Sequence, residues 1–203
     1  MDVMEDEATE DMEKMAAMLP SEHPYMRSTP VEIWKNRIPW LLLLMISATF
    51  TSTIITHFET LLSGAVVLTA FIPMLMDSAG NSGSQTSVTV IRNMALGEVE
   101  LSDWLRVLFK ELRVAVLSGL ALAAVNFLRM MIFTSAGTMV SLTVSVTLLC
   151  TVVIAMAVGC LLPMGAKRLG LDPAVMASPM ITTIVDACSL VIYFMIATAV
   201  LGL

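Results

Sequence analysis

From Met130 to Ala166 the chain runs for 37 residues without a charged side chain. A water-soluble surface cannot be built from such a run. It is also too long for one helix, because a bilayer core of about 30 Å is crossed by about 20 apolar residues. The segment therefore reads as two membrane crossings, with a turn at Thr134-Ser135-Ala136-Gly137-Thr138. The rest of the chain fits this setting. Only 14% of residues are charged, where a soluble domain carries roughly 25%. An ordinary soluble enzyme, a disordered chain and a basic nucleic-acid binder are all excluded.

Other uncharged stretches complete the set. Residues 38–56 form a first span. Residues 60–76 are uncharged up to Asp77, and a polar but uncharged stretch then continues to Ile91, so the second span is long and interrupted. The third and fourth spans lie near 112–133 and 138–163. The last stretch, 174–203, holds one charge, Asp186. The expected fold is an all-α membrane protein with five transmembrane helices and its termini on opposite sides. Basic residues set the orientation, since they favour the cytoplasmic side. With the N-terminus inside, Lys14, Arg27, Lys35, Arg37, Arg92, Arg106, Lys110, Arg113, Lys167 and Arg168 are cytoplasmic and only Arg129 is outside.

Residues 1–37 form a cytoplasmic acidic junction, and residues 38–203 the membrane domain. Asp2, Glu5, Asp6, Glu7, Glu10, Asp11, Glu13 and Glu22 crowd the head, which has the character of a piece of a longer protein and shows no signal peptide. Glu7 to Met18 reads as helix. Ser28-Thr29-Pro30 starts a second helix, with proline in its first turn, leading into the first span at Pro39.

The available chemistry is narrow. There is no P-loop and no nucleotide-binding glycine pattern, so the chain is not an ATPase. No nucleophile–histidine pair lies in the spans, and His23 and His57 are isolated, so no enzymatic site is expected. The 18 methionines form no ladder suited to a soft metal and read as packing residues. Cys150, Cys160 and Cys188 lack metal spacing and read as free buried thiols.

Two carboxylates remain. Acidic groups at membrane depth are costly and usually face a cavity or ion path. Asp186 lies twelve residues past Ala174, about 18 Å along a helix of 1.5 Å rise and near the membrane centre. Ser178, Thr182 and Asp186 share one face, with Thr183 beside them. The competing reading is a structural aspartate bonded to a neighbouring helix. Asp77 opens a second stripe, Asp77, Asn81, Gln85 and Thr89, with Gly80 and Gly83 among them. Pro73 lies one turn earlier, so this helix is expected to bend or break between Pro73 and Gly83. Helix-to-helix hydrogen bonding is the alternative for Asp77 and Asn81. All these ligands are oxygen donors, which suits a hard cation such as Mg2+ that keeps much of its water. Five helices enclose a pore poorly; a two-fold dimer would pair two copies of Asp186 on its axis.

Pro73, Gly80-Asn81-x-Gly83-x-Gln85, Arg92 and Met94-Ala95-x-Gly97, together with Leu171-Asp172-Pro173, Thr182-Thr183-x-x-Asp186 and Tyr193-Phe194, resemble the MgtE magnesium channel family. Glu7-Ala8-Thr9-Glu10-Asp11 resembles that family's join between regulatory and membrane domains. Met94 stands where leucine is usual, and Ser189 where many members have glycine. The resemblance implies a homodimer of five spans per subunit in the bacterial plasma membrane. Its pore is lined by the second and fifth spans, and Asp186 holds largely hydrated Mg2+. Pro179 and Ser178 fall where the fifth span would pinch the pore. Residues roughly 24–37 match a plug-like connecting helix, and the regulatory and CBS domains of the family are absent from these 203 residues. The expected function is Mg2+ movement into the cytoplasm down its electrochemical gradient, with Mn2+ or Co2+ as further candidate ions and no nucleic-acid partner. An exchanger coupled to Na+ or H+, and a non-transporting membrane scaffold, are the alternatives. The acidic head is expected to be a remnant of a Mg2+-sensing junction, with a solvated tail of no role as the alternative, so that this chain alone conducts without inhibition by cytoplasmic Mg2+ beyond simple pore block at Asp186.

Overall fold

The computed structural model describes the chain except Met1, Glu22, residues 60–62, Gly64, Ala177 and Leu203; the side chains of residues 2–8 and of Ser178 also lie outside the described residues. The head acids Asp2, Glu5, Asp6, Glu7 and Glu22 and the Ser178 hydroxyl are thus not described. Among the described residues the fold is entirely helical, with six α-helices: α1 (Asp2–Met15), α2 (Pro30–His57), α3 (Ile72–Ala95), α4 (Trp104–Phe133), α5 (Thr138–Arg168) and α6 (Ser178–Leu201). Short 3-10 turns at Val66–Phe71, Leu101–Asp103 and Pro173–Met176 precede α3, α4 and α6.

Local chemistry places these boundaries. Thr29 caps α2: its side chain accepts from the Glu32 N–H, and the Glu32 carboxylate accepts from the Thr29 N–H at 2.7 Å. This reciprocal pairing satisfies two donors that a helix start leaves free. Pro30 then occupies the first turn, where its missing N–H costs nothing. The helix continues through Pro39 to His57, so the cytoplasmic segment and the first span are one rod about 42 Å long. Between α4 and α5 the turn is where the sequence places it, and Gly137 there takes φ +83°, a conformation that side chains with a Cβ rarely adopt.

Among the described residues, four helical stretches are long and apolar enough to cross a membrane: Pro30–His57, Leu101–Phe133, Thr138–Arg168 and Pro173–Leu201. The helix α3 has 24 residues, long enough at about 36 Å, but its polar residues keep it out of that group. α5 is the centre of the bundle. It packs against α3, α4 and α6 and buries 15 residues, among them Ser141, Thr143, Thr147 and Thr151. Those hydroxyls are satisfied within the helix: Ser141, Thr143 and Thr147 each donate to the carbonyl four residues back at 2.8–2.9 Å. A larger apolar cluster joins Leu68, Leu75, Met130, Leu148, Leu190 and Phe194, and the buried Tyr193 hydroxyl donates to the Leu68 carbonyl at 2.9 Å. α2 stands at the edge. None of its residues is buried, and it holds to α6 through Ile54, Ile55 and the stacking of Phe58 on Phe194 at 4.6 Å.

Two expectations change. α3 does not break between Pro73 and Gly83; it runs as continuous helix from Ile72 to Ala95. Pro73 sits in its first turn, where proline starts a helix rather than interrupting one, and the irregular backbone lies earlier, at Val66–Phe71. α6 begins at Ser178 rather than at Ala174. Asp186 is therefore eight residues along it, about 12 Å by helical rise. Of the three free cysteines only Cys160 is buried; Cys150 and Cys188 are half-buried.

Candidate ion site

The stripe on α3 and the carboxylate of α6 meet. A cavity of about 170 Å³ is lined by Met76, Asp77, Gly80, Asn81, Thr182 and Asp186. Glycine makes the approach feasible: a Cβ at Gly80 would stand 3.1 Å from the Thr182 methyl and 3.9 Å from Asp186 Oδ1. Gly83 works on the other side of α3. A Cβ there would lie 2.9 Å from an Ile181 methyl and 3.0 Å from the Ala155 carbonyl, and one at Gly159 would collide with the Gly83 carbonyl. The backbones of α3 and α5 are thus in direct contact, as small residues permit between membrane helices.

The two faces of α3 are chemically distinct. Ala79, Gly80, Gly83, Thr86, Ser87 and Val90 are buried. Asp77, Asn81, Gln85 and Thr89 are exposed on the opposite face, from one end of the helix towards the other. On α6, Pro179, Thr182, Thr183 and Asp186 are half-buried. The Thr182 and Thr183 hydroxyls both donate to the Pro179 carbonyl at 3.0 Å, so they stiffen the first turns of α6 rather than pointing free donors into the cavity. Of the expected residues, the structure gathers Asp77, Gly80, Asn81, Thr182 and Asp186 around one cavity. Gln85 continues the exposed stripe, while Gly83, Pro179 and Thr183 support the packing.

The cavity offers two carboxylates, an amide and a hydroxyl, all oxygen donors. No group of three or more His, Cys, Asp or Glu residues able to hold a metal occurs among the described residues. A dehydrated, tightly held ion needs more ligands than this; an ion that keeps part of its water does not.

Sequence reasoning missed two residues. Met76 lines the cavity at a position where methionine signals nothing beyond packing. Glu111 accepts a hydrogen bond from the buried Thr86 hydroxyl at 3.1 Å, on the face of α3 turned away from the stripe. Placing the third span from residue 112 left Glu111 outside it. The helix in fact starts at Trp104, which puts Glu111 about 10 Å along.

On the head side, the Lys14 ammonium contacts both Glu10 and Asp172 at 2.7 Å, tying α1 to the turn that precedes α6. These two carboxylates hold the ammonium of Lys14 well above its ordinary value, the Asp172 hydrogen bond contributing most. Burial pushes the Asp172 carboxyl up, but the hydrogen bonds from Lys14 and from the Ala174 N–H outweigh it and hold the group below the usual carboxylate value.

Residues 72–196, from the start of α3 through most of α6, match the family described as MgtE, divalent cation transporter. Over 99% of its length the chain is 35% identical to a Thermus thermophilus protein named magnesium transporter MgtE. Proteins of the same name from Enterococcus faecalis and Bacillus subtilis are 33% and 34% identical over 97% and 98% of it. The chain spans about 44% of the length of the Thermus relative and 43% of the other two. A match over most of the bundle, running from one cavity helix to the other, places the chain in the MgtE family of divalent cation transporters, which are not enzymes.

Proposed function

We propose that the chain is the membrane pore domain of a Mg2+ channel, with α3 as a fifth crossing and with α3 and α6 lining the pore on the axis of a homodimer. The observation that carries this reading is the exposed stripe Asp77, Asn81, Gln85 and Thr89 beside Asp186. A carboxylate and two amides turned outward from a membrane bundle are costly against lipid; against a water-filled path shared with a second copy they are solvated. Asp186 from each subunit would hold Mg2+ through its water shell, which fits the sparse ligand set. The relatives' printed name, magnesium transporter, supports this choice of ion. Mn2+ and Co2+ are the natural competitors.

Ten of the eleven basic residues fall on one side of the spans when the N-terminus is cytoplasmic, which supports an orientation with the N-terminus inside and the C-terminus outside. Inward flow needs no ATP, because a divalent ion gains about 4.6 kcal/mol across 100 mV at 2.3 per charge. The exchanger reading drew on a broken second helix with an acidic residue; the continuous helix from Ile72 to Ala95 is the reason the channel is preferred here. In the longer relatives' layout the acidic head would join cytoplasmic domains to the pore, and its contact with the turn before α6 through Lys14 and Asp172 is a route by which they would bias it.

The test is Mg2+ uptake into proteoliposomes at set membrane potentials. Wild-type uptake should grow with inside-negative potential and need no counter-ion, and Asp186→Ala should lower it about a hundredfold. An obligatory Na+ or H+ gradient would favour exchange, and uptake equal to that of empty vesicles would favour a scaffold.

A further inference from the structure

Where α4 begins and α5 ends, an open groove of about 450 Å³ runs between Leu101, Ser102, Trp104, Leu161, Met164 and Arg168. It shares no residue with the α3–α6 cavity. Leu161, Met164 and Arg168 fall at i, i+3 and i+7 on one face of α5. The groove is therefore apolar along the helix and cationic at its end, where α5 terminates. Trp104 is 43% exposed at the rim, the level at which tryptophan marks a membrane–water boundary. The floor is open, since a Cβ at Gly165 would meet nothing within 4 Å. This glycine does not serve close packing.

Arg168 is the cation left over at this corner. Lys167 donates to the Met94 carbonyl at 3.4 Å, and Arg106 pairs with Asp103 at 3.4 Å. The Ser102 hydroxyl is engaged by the Glu100 carboxylate at 3.4 Å. Arg168 has no side-chain hydrogen bond or ion pair among the described residues.

We propose that this groove binds an anionic glycerophospholipid, its headgroup phosphate on Arg168 and the upper part of one acyl chain along Leu161 and Leu101 beneath Trp104, over the buried Met164. Cationic pockets at the ends of membrane helices hold such headgroups. A soluble phosphate would gain nothing from the apolar walls, and a zwitterionic headgroup would bring its own cation to a site that already has one. The proposal requires only that the chain is embedded in a bilayer, not that it conducts.

Trp104 reports on the site directly. The full chain carrying Trp34→Phe and Trp40→Phe has Trp104 as its one indole. It is reconstituted in phosphatidylcholine vesicles containing either dibrominated phosphatidylglycerol or dibrominated phosphatidylcholine, and quenching gives the relative affinity. The anionic lipid should be preferred about fivefold, the factor that one basic residue at a headgroup supplies. The preference should vanish in Arg168→Gln and survive in Arg168→Lys. Gly165→Phe, whose Cβ has open space and whose ring would occupy the groove, should lower quenching by both lipids, and millimolar inorganic phosphate should change nothing. Equal quenching by the two lipids in the parent, an unaltered preference in Arg168→Gln, or displacement by inorganic phosphate would each overturn the proposal. Should Gly165→Phe fail to fold, the two Arg168 variants still decide.

Discussion

α2 and α3 both leave much of their surface uncovered, with opposite chemistry. α2 buries no residue and exposes Leu41, Leu42, Leu43, Met45, Ile46 and Phe50. Two of its exposed hydroxyls turn back on their own helix: Thr53 donates to the Thr49 carbonyl at 2.8 Å and Thr56 to that of Ser52 at 3.0 Å. α3 buries ten residues and exposes an acid, two amides and a hydroxyl in register. In a membrane protein exposure does not name the medium. The side chains do, because hydrocarbon satisfies methyl groups and cannot satisfy carboxylates. On this reading α2 faces lipid and α3 faces an aqueous path.

The strongest way to break the contrast is to remove the carboxylate at the α3–α6 cavity. Asp186→Ala should lower the initial rate of Mg2+ uptake about a hundredfold, or ~2.7 kcal/mol of lost ion stabilisation, while thermal stability in detergent stays the same. A second variant attacks the support of the stripe. Gly159→Leu drives a side chain into the Gly83 carbonyl and should cost about 2 kcal/mol or more of stability by overpacking, seen as a lower unfolding temperature. The third is a matched exchange. Ile46→Asn on α2 should destabilise the folded protein by ~1 kcal/mol with little change in uptake per folded molecule, and Asn81→Ile on α3 should cut uptake about threefold with no loss of stability. If the two swaps gave the same phenotype, the distinction between lipid-facing and path-facing helices would collapse.

The smallest effect is expected at the head. The depressed Asp172 carboxyl stabilises docking of α1 at pH values above the usual carboxylate value of 3.8 and loses that contribution as pH falls through its lowered value. The raised Lys14 ammonium acts below its ordinary 10.5 and is lost only at more alkaline pH. Docking should therefore be flat between about pH 5 and 10 and loosen in acid. Its size should stay under ~1 kcal/mol, since the Asp172 side chain is 37% exposed and screened. Hydrogen exchange of α1 against pH, with Lys14→Met as control, measures it.

Much of this was legible before any coordinates. Uncharged runs located four of the crossings, because lipid forbids charge over long stretches. The four-residue spacing of Asp77, Asn81 and Gln85 marked the stripe, because a helix repeats its face at that interval. The pairing of that stripe with Asp186 rested on the family resemblance, since spacing within one helix says nothing about its neighbour. What escaped was set by boundaries. Proline reads as a breaker or a starter according to where the helix begins, and the 3-10 turn before Ile72 settles that for Pro73. A shift of four residues in the start of α6 moved Asp186 by about 6 Å along its helix, and a start at Trp104 brought Glu111 into α4.

The contact between Gly83 and Gly159 has a mechanical consequence. Two helices that touch backbone to backbone have no side chains between them to compress or to roll over, so α3 and α5 form a single wall. α6 meets that wall through side chains instead: the Thr182 methyl lies over Gly80, an Ile181 methyl lies at Gly83, and Ile181 and Val185 are buried with Ala79 and Ala155. A change in the width of the cavity would therefore require the α6 side chains to repack against a wall that keeps its own shape.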